Sequence, residues 1–305
     1  MIPTQQIIFL SLIVTGFLWG KKIPKSDKLS VKLNKLLFNI LIPIVLFVSI
    51  YKNFSAGAFF NFSFILIYLS AFVINSIFTY FLFGKTEIKN FLLTCLGGSY
   101  INLALFALPM IVILLQDIKA AVLLNLIQLF FINLPILLII NYLQNKGMES
   151  RLKIILKTIL HPIFFFIIVG IILSNFSISL PGFSLGILSF ISKVTIPLAL
   201  FAFGLSLSKL KFSKTEIDKK TLILTLQKNL GHPLIIWAMV TFIPSNLSPY
   251  WINALLISGL SPTAILVHIY TKKFNILENT ISKVILCTSI ISLITLTFIF
   301  PLIKL

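Results

Sequence analysis

The chain is a succession of long apolar runs separated by short basic stretches, and that alternation fixes the solvent in which it can fold. A helix needs roughly 20 apolar residues to cross the hydrocarbon core of a bilayer. Runs of this kind lie near 5–20, 34–51, 61–83, 91–115, 120–143, 154–174, 184–208, 221–243, 251–271 and 279–303. Of the 305 residues, 58% are hydrophobic and 10% are charged, against about 25% charged in soluble domains. An all-α integral membrane protein of ten transmembrane helices is therefore expected. The N-terminal MIPTQQIIFL has neither a positive leader nor a small-residue cleavage site, so the first run is read as a permanent span.

The formal charge of +18 would suggest nucleic acid on a soluble protein. Here the basic residues fall between apolar runs, where they set topology and touch anionic lipids. Lys21, Lys22, Lys25, Lys28, Lys32 and Lys35 follow the first run, and Lys85 and Lys89 the third. Lys146, Arg151, Lys153 and Lys157 follow the fifth. Lys209, Lys211, Lys214, Lys219 and Lys220 follow the seventh, and Lys272 and Lys273 the ninth. That puts 19 of the 25 basic residues on one side, against Lys52, Lys119 and Lys304 on the other. Ten spans with both termini outside a bacterial inner or plasma membrane follow from the excess of positive charge on cytoplasmic loops.

The two halves echo each other. Ile42, Pro43, Leu46 and Phe47 recur as Ile196, Pro197, Leu200 and Phe201 at an offset of 154, and Gly16 recurs as Gly170. Pro109 and Pro262 are offset by 153. Residues 1–150 and 151–305 thus read as two five-helix repeats. An odd number of spans per repeat makes them inverted.

The fourth run, LLTCLGGSYINLALFALPMIVILL, and the ninth, NALLISGLSPTAILVHIY, both pass from glycine and serine to proline. Proline removes an N–H and clashes with the preceding turn, and interrupted helices at membrane depth mark substrate sites in inverted-repeat carriers. The second half of each helix is expected to start near Pro109 or Pro262. The two amide ends would then meet at mid-membrane from opposite directions and seat a carboxylate. Asn102, Ser261 and Thr263 would add polar contacts, and Gln128 in the fifth run is a further candidate. Lys193, like Asn39 of the other half, stands four residues before a proline. It either attracts the anion or snorkels to the outer interface, the second being favoured. Lys228 and Lys283 are read as snorkelling from the basic side. His232 is read as a packing histidine, with proton relay as the alternative.

The acidic residues Asp27, Glu87, Asp117, Glu149, Glu216, Asp218 and Glu278 all map to loops or span ends. That speaks against a carboxylate-based cation site in the membrane. Cys95, Cys287 and the three histidines make no metal or disulfide spacing, and no cofactor is expected.

These residues resemble the auxin efflux carrier family over nearly the whole chain. Asn102 stands seven residues before Pro109, as in the family's asparagine-then-glycine-x-proline motif, with Ala107 in place of the glycine. Pro262-Thr263-Ala264 is similar to its ninth-helix crossover, IPLALFAFGLSL from Ile196 to its seventh helix, HPIFFFIIVGIIL from His161 to its sixth and LIPIVLF from Leu41 to its second. Gln128 resembles a recurring glutamine of the fifth. The resemblance implies crossed, proline-broken fourth and ninth helices and carboxylate substrates such as auxin or malonate. The bile acid–sodium symporters share the plan, but their acidic sodium ligands are not evident. The long cytoplasmic loop of plant exporters is missing, since 144–153 is a short connector.

The expected function is secondary transport of a small organic anion by alternating access. A bundle holding the fourth and ninth helices would move, as an elevator or by rocking, against a scaffold built on the Pro43 and Pro197 helices. The alternatives are a sodium-coupled symporter of the bile-acid type and a non-transporting anion sensor. A membrane enzyme would need a nucleophile, base or metal cluster that the sequence lacks. Expected partners are the anion and membrane lipids, not nucleic acid, with a homodimer as the assembly the fold class would allow.

Overall fold

The computed structural model describes residues 4–24, 26–53, 61–84, 86–144, 147–210, 217–243 and 246–299. Lys25, Lys85, Lys146, Lys211, Lys214, Glu216 and Lys304 lie outside the described residues. The first run forms α1, Thr4–Lys22, the second α2, Ser26–Asn53, and the third α3, Phe62–Phe83. The fourth divides into α4, Ile88–Ser99, and α5, Leu103–Leu115. The fifth is α6, Lys119–Leu143. The sixth is α7, Met148–Ile159, and α8, Pro162–Asn175, bent by 45° at the residues preceding Pro162. The seventh is α9, Gly182–Leu207, and the eighth is α10, residues 219–242. The ninth divides into α11, Pro249–Leu260, and α12, Ile265–Phe274, and the last is α13, Glu278–Phe298.

Among the described residues, α2, α3, α6, α9 and α13 are long and apolar enough to cross a membrane alone, and the bent α7–α8 pair makes a sixth. Their outer faces suit lipid: Phe81, Phe165, Phe183 and Phe190 all point away from the packed interior. Two expected loops are shorter than the basic residues suggested. Lys28, Lys32 and Lys35 ride on the first turns of α2, and Arg151, Lys153 and Lys157 on α7. Both stretches are amphipathic, so a charged face extends the helix beyond the apolar run. Local signals set several starts. Asn61 Oδ1 accepts from the Phe64 N–H, Asp218 Oδ1 from the Thr221 N–H, and Pro162 and Pro249 occupy first turns.

Four of the intrahelical prolines among the described residues are absorbed in the same way. A proline lacks the N–H for the carbonyl four residues back and crowds that carbonyl. Before Pro43, Pro109, Pro135 and Pro233 the helix widens into a π turn, so that Ile42, Leu108, Leu134 and His232 donate to Leu37, Leu103, Leu129 and Gln227, five residues back. Pro197 sits inside α9 with no such turn, so the Pro43 and Pro197 helices are not local copies.

The helices form two groups. In one, α1 lies against α9 with backbones touching. A Cβ on Gly204 would stand 1.9 Å from the Ile13 carbonyl oxygen, and one on Gly16 2.1 Å from that of Phe201. Small residues of this kind let membrane helices approach closely. In the same group α8 packs on α2, Gly170 facing Ile50 and Phe166 meeting Phe47 edge-on at 6.1 Å. The other group holds α3–α6 and α10–α13. Phe106 of α5 joins the two, lying between Phe9 of α1 at 5.7 Å and Phe203 of α9 at 5.2 Å.

Candidate functional site

The two broken helices cross at their breaks. Ile101 and Thr263 form an antiparallel bridge, in which the Asn102 N–H donates to the Pro262 carbonyl at 2.8 Å and the Ala264 N–H to the Tyr100 carbonyl at 3.0 Å. Each break thus satisfies backbone groups of the other, as interrupted backbone within a membrane protein requires.

The position of the first break corrects the expectation drawn from Pro109. α4 ends at Ser99, the extended residues are Tyr100 to Asn102, and Pro109 lies seven residues on, inside α5. Pro262 does lie in its break. The 153-residue offset between these prolines therefore joins inequivalent places. A π turn handles Pro109, and the extended backbone is held by its pairing across to α11–α12. Pro109→Ala should accordingly keep the crossing and change stability by less than about 1 kcal/mol, read as a nearly unshifted thermal melt of the purified protein.

A cavity of about 810 Å³ runs from the crossing to the basic side of the protein. Tyr100 to Leu105 and Ala264 to Leu266 line it, so the first turns of both α5 and α12 border the same space. First-turn amides have no partner within the helix. Asn102 is buried, and its Nδ2 has no partner among the described residues. Gln128 of α6 lies beside it, Nε2 donating to Tyr68 Oη at 3.1 Å and the Ile101 carbonyl at 3.2 Å. Asn133 Nδ2 donates to Tyr100 Oη at 2.6 Å, which fixes the ring next to the break. Asn39 of α2, an exposed residue, also lines the cavity. Toward the basic side the lining includes Lys35, Lys153, Lys157 and Lys273 and, among the described residues, no carboxylate. His161, also on the wall, caps α8 by accepting from the Ile163 N–H at 3.3 Å.

Of the residues singled out in the sequence, Asn39, Asn102 and Gln128 share this cavity. Ser261 and Thr263 do not reach it: their hydroxyls donate to the Ile257 and Gly97 carbonyls, both at 2.7 Å, and fasten the crossing from behind. Pro109 and Pro262 do not line it either. Lys193 is exposed and borders a separate hollow of about 410 Å³ on the opposite side, with Lys52, Asp117 and Lys119. His232 is buried away from the cavity, with neither ring nitrogen partnered among the described residues.

Lys228 and Lys283 do not snorkel. Lys228 is 0% exposed and its Nζ donates to the Gly259 carbonyl at 2.8 Å. Lys283 is buried on α13 within electrostatic reach of Asp218 at the basic edge. There the partial burial of Asp218 is outweighed by hydrogen bonds from Thr221 and by the charges of Lys283 and Lys220, which hold its carboxyl below the usual range. Snorkelling requires a lipid-facing position, and both lysines face the bundle. Asn133, a polar residue of the fifth run expected to face a cavity or a partner helix, does both, while the sequence missed Tyr68 and Tyr100, whose roles come from tertiary contacts. Among the described residues no three His, Cys, Asp or Glu side chains converge as a metal site would require.

An all-helical chain with apolar outer faces and a polar, basic-lined interior cavity at two interrupted helices has the make-up of a membrane transporter. The chain belongs to the membrane transport protein family, the group of the auxin efflux carriers, whose family model matches residues 2–300. No curated protein matches the chain.

Proposed function

We propose that the protein is a secondary carrier of small organic anions, carboxylates in class, working by alternating access across a bacterial inner or plasma membrane. One observation carries this reading: among the described residues, a single cavity takes the first turns of both broken helices, the Asn102 side-chain Nδ2 with no partner, and four lysines, without a carboxylate. Each helix start contributes about half a positive charge, and anions are held at such ends by N–H groups. The lysines raise the local anion concentration at the mouth. No Asp or Glu among the described residues is buried, which favours an anion over a cation as cargo and gives no carboxylate for sodium.

In this scheme the ten runs are ten spans in two inverted halves, both termini lie outside, and the conformation described is open to the cytoplasm. The group of α1, α2, α8 and α9 is the scaffold, and the group carrying the crossing moves against it. Phe106, set between Phe9 and Phe203, gives the moving face an apolar contact that can slide without breaking hydrogen bonds. The opposite hollow, with Lys52, Lys119 and Lys193, is where the exit would form.

The test is flux in proteoliposomes with labelled acetate, malonate and indole-3-acetate. Saturable flux of at least one carboxylate, competed by the others, is the expected result. Absence of saturable flux of any of the three removes the carrier reading and leaves an anion-binding sensor as the alternative.

A further inference from the structure

The crossing places two carbonyl ends, as well as two amide ends, in the middle of the molecule. The last carbonyls of a helix have no partner within it and carry about half a negative charge. At the end of α4 the donors are neutral: the Tyr100 N–H serves Leu96, Thr263 Oγ1 serves Gly97 and Asn75 Nδ2 serves Gly98 at 2.8 Å. At the end of α11, Ser261 Oγ serves Ile257, the Ser261 N–H serves Ser258, and Pro262 has no N–H to give. The Gly259 carbonyl is taken by Lys228 Nζ at 2.8 Å.

Lys228 comes from α10, nearly three helical turns beyond its N-terminal cap Asp218, and is 0% exposed. A lysine so placed is expensive unless something opposes its charge. No carboxylate among the described residues is buried to do so. The opposing charge is the carbonyl end of α11, one to two residues before the break that presents α12 to the cavity.

We propose that the Lys228 ammonium is a resident cation of the crossing. It occupies the carbonyl end of α11, does there what a bound sodium ion would otherwise do, and holds the break in the shape that aims the α12 amides at the anion. It is a positioning residue, acting through Gly259 and not on the substrate. The carrier therefore needs no added sodium. Its transport consequence rests on the carrier reading above. Its effect on the folded protein does not.

The experiment compares the full-length protein with Lys228→Ala and Lys228→Met. In choline chloride the alanine variant should melt below wild type, and ethylammonium chloride, a mobile ammonium one methylene shorter than the deleted fragment, should raise its melting temperature while leaving wild type unmoved. The methionine variant fills the space without charge, so it should melt below wild type and gain nothing from ethylammonium. Flux of labelled malonate or indole-3-acetate should be equal in sodium and choline for wild type. It should fall by about tenfold in the alanine variant, the scale of a partly buried charge at a helix end, and recover with ethylammonium. A methionine variant as stable as wild type, an alanine variant indifferent to ethylammonium, or wild-type flux that requires sodium each overturns the proposal. If wild type carries no carboxylate, the carrier reading falls and the melting comparison still decides the role of Lys228.

Discussion

Replacing Asn102 with alanine is expected to lower carboxylate flux by about tenfold or more while the protein stays folded, because a hydrogen bond to a charged ligand contributes roughly 1.5–3 kcal/mol. The two halves of that outcome have separate causes. Asn102 is anchored by its backbone, whose N–H donates to the Pro262 carbonyl and whose carbonyl accepts from the Ala107 N–H. Alanine keeps both bonds. The side-chain Nδ2 has no partner among the described residues although Asn102 is buried on the cavity wall. A buried polar group left unpaired costs free energy in the empty protein, so its removal does not weaken the fold and can strengthen it. On the proposed function, what is lost is a donor for the anion. Thermal melting and flux measured on the same preparation check the prediction: a melt at or above wild type with depressed flux agrees, and unchanged flux takes Asn102 out of the site.

Gly204→Ala should have the larger effect on stability, lowering it by about 3 kcal/mol or more. The added Cβ would stand 1.9 Å from the Ile13 carbonyl oxygen and 2.8 Å from its carbon. Those are backbone atoms of a neighbouring helix, which no side-chain rotation can move aside. Gly16 meets the Phe201 carbonyl in the same way from the other side, so α1 and α9 interlock at two places and must separate together. Separation would also disturb Phe203, which packs on Phe106 of α5. The variant should lose both thermal stability and flux. A wild-type melting temperature for Gly204→Ala would contradict the close packing of these helices.

Much of the fold was legible because the bilayer makes demands that composition records. Apolar runs of membrane length located each helix or helix pair among the described residues. The presence of two interruptions was legible from Pro109 and Pro262 in matched runs, but the position of the first was not. No proline or glycine lies at Tyr100, Ile101 or Asn102. The extended backbone there is stabilised by pairing with Pro262 and Ala264, a contact between residues about 160 apart in the chain, and sequence-local propensity carries no trace of such a pairing. Pro109 misled for the complementary reason, since a π turn before it lets the helix continue.

The same limit explains the site. Asn102 and Gln128 were identifiable as polar residues at membrane depth, which must face a partner or a cavity. Ser261 and Thr263 satisfied the same criterion, yet their hydroxyls are spent on nearby carbonyls. Which polar group faces the cavity and which is tied to backbone depends on rotamer and neighbour, and spacing does not encode either. Lys228 was misjudged because residue counting gives depth without giving the face of the helix.

The most direct test of the central claim is an experimental structure determined with a bromine-substituted carboxylate, the halogen located by its anomalous scattering. The carboxylate is expected between the first turns of α5 and α12, within hydrogen-bonding distance of Asn102 Nδ2. A halogen signal elsewhere, with the space between those two turns empty at a concentration that saturates transport, would contradict the account.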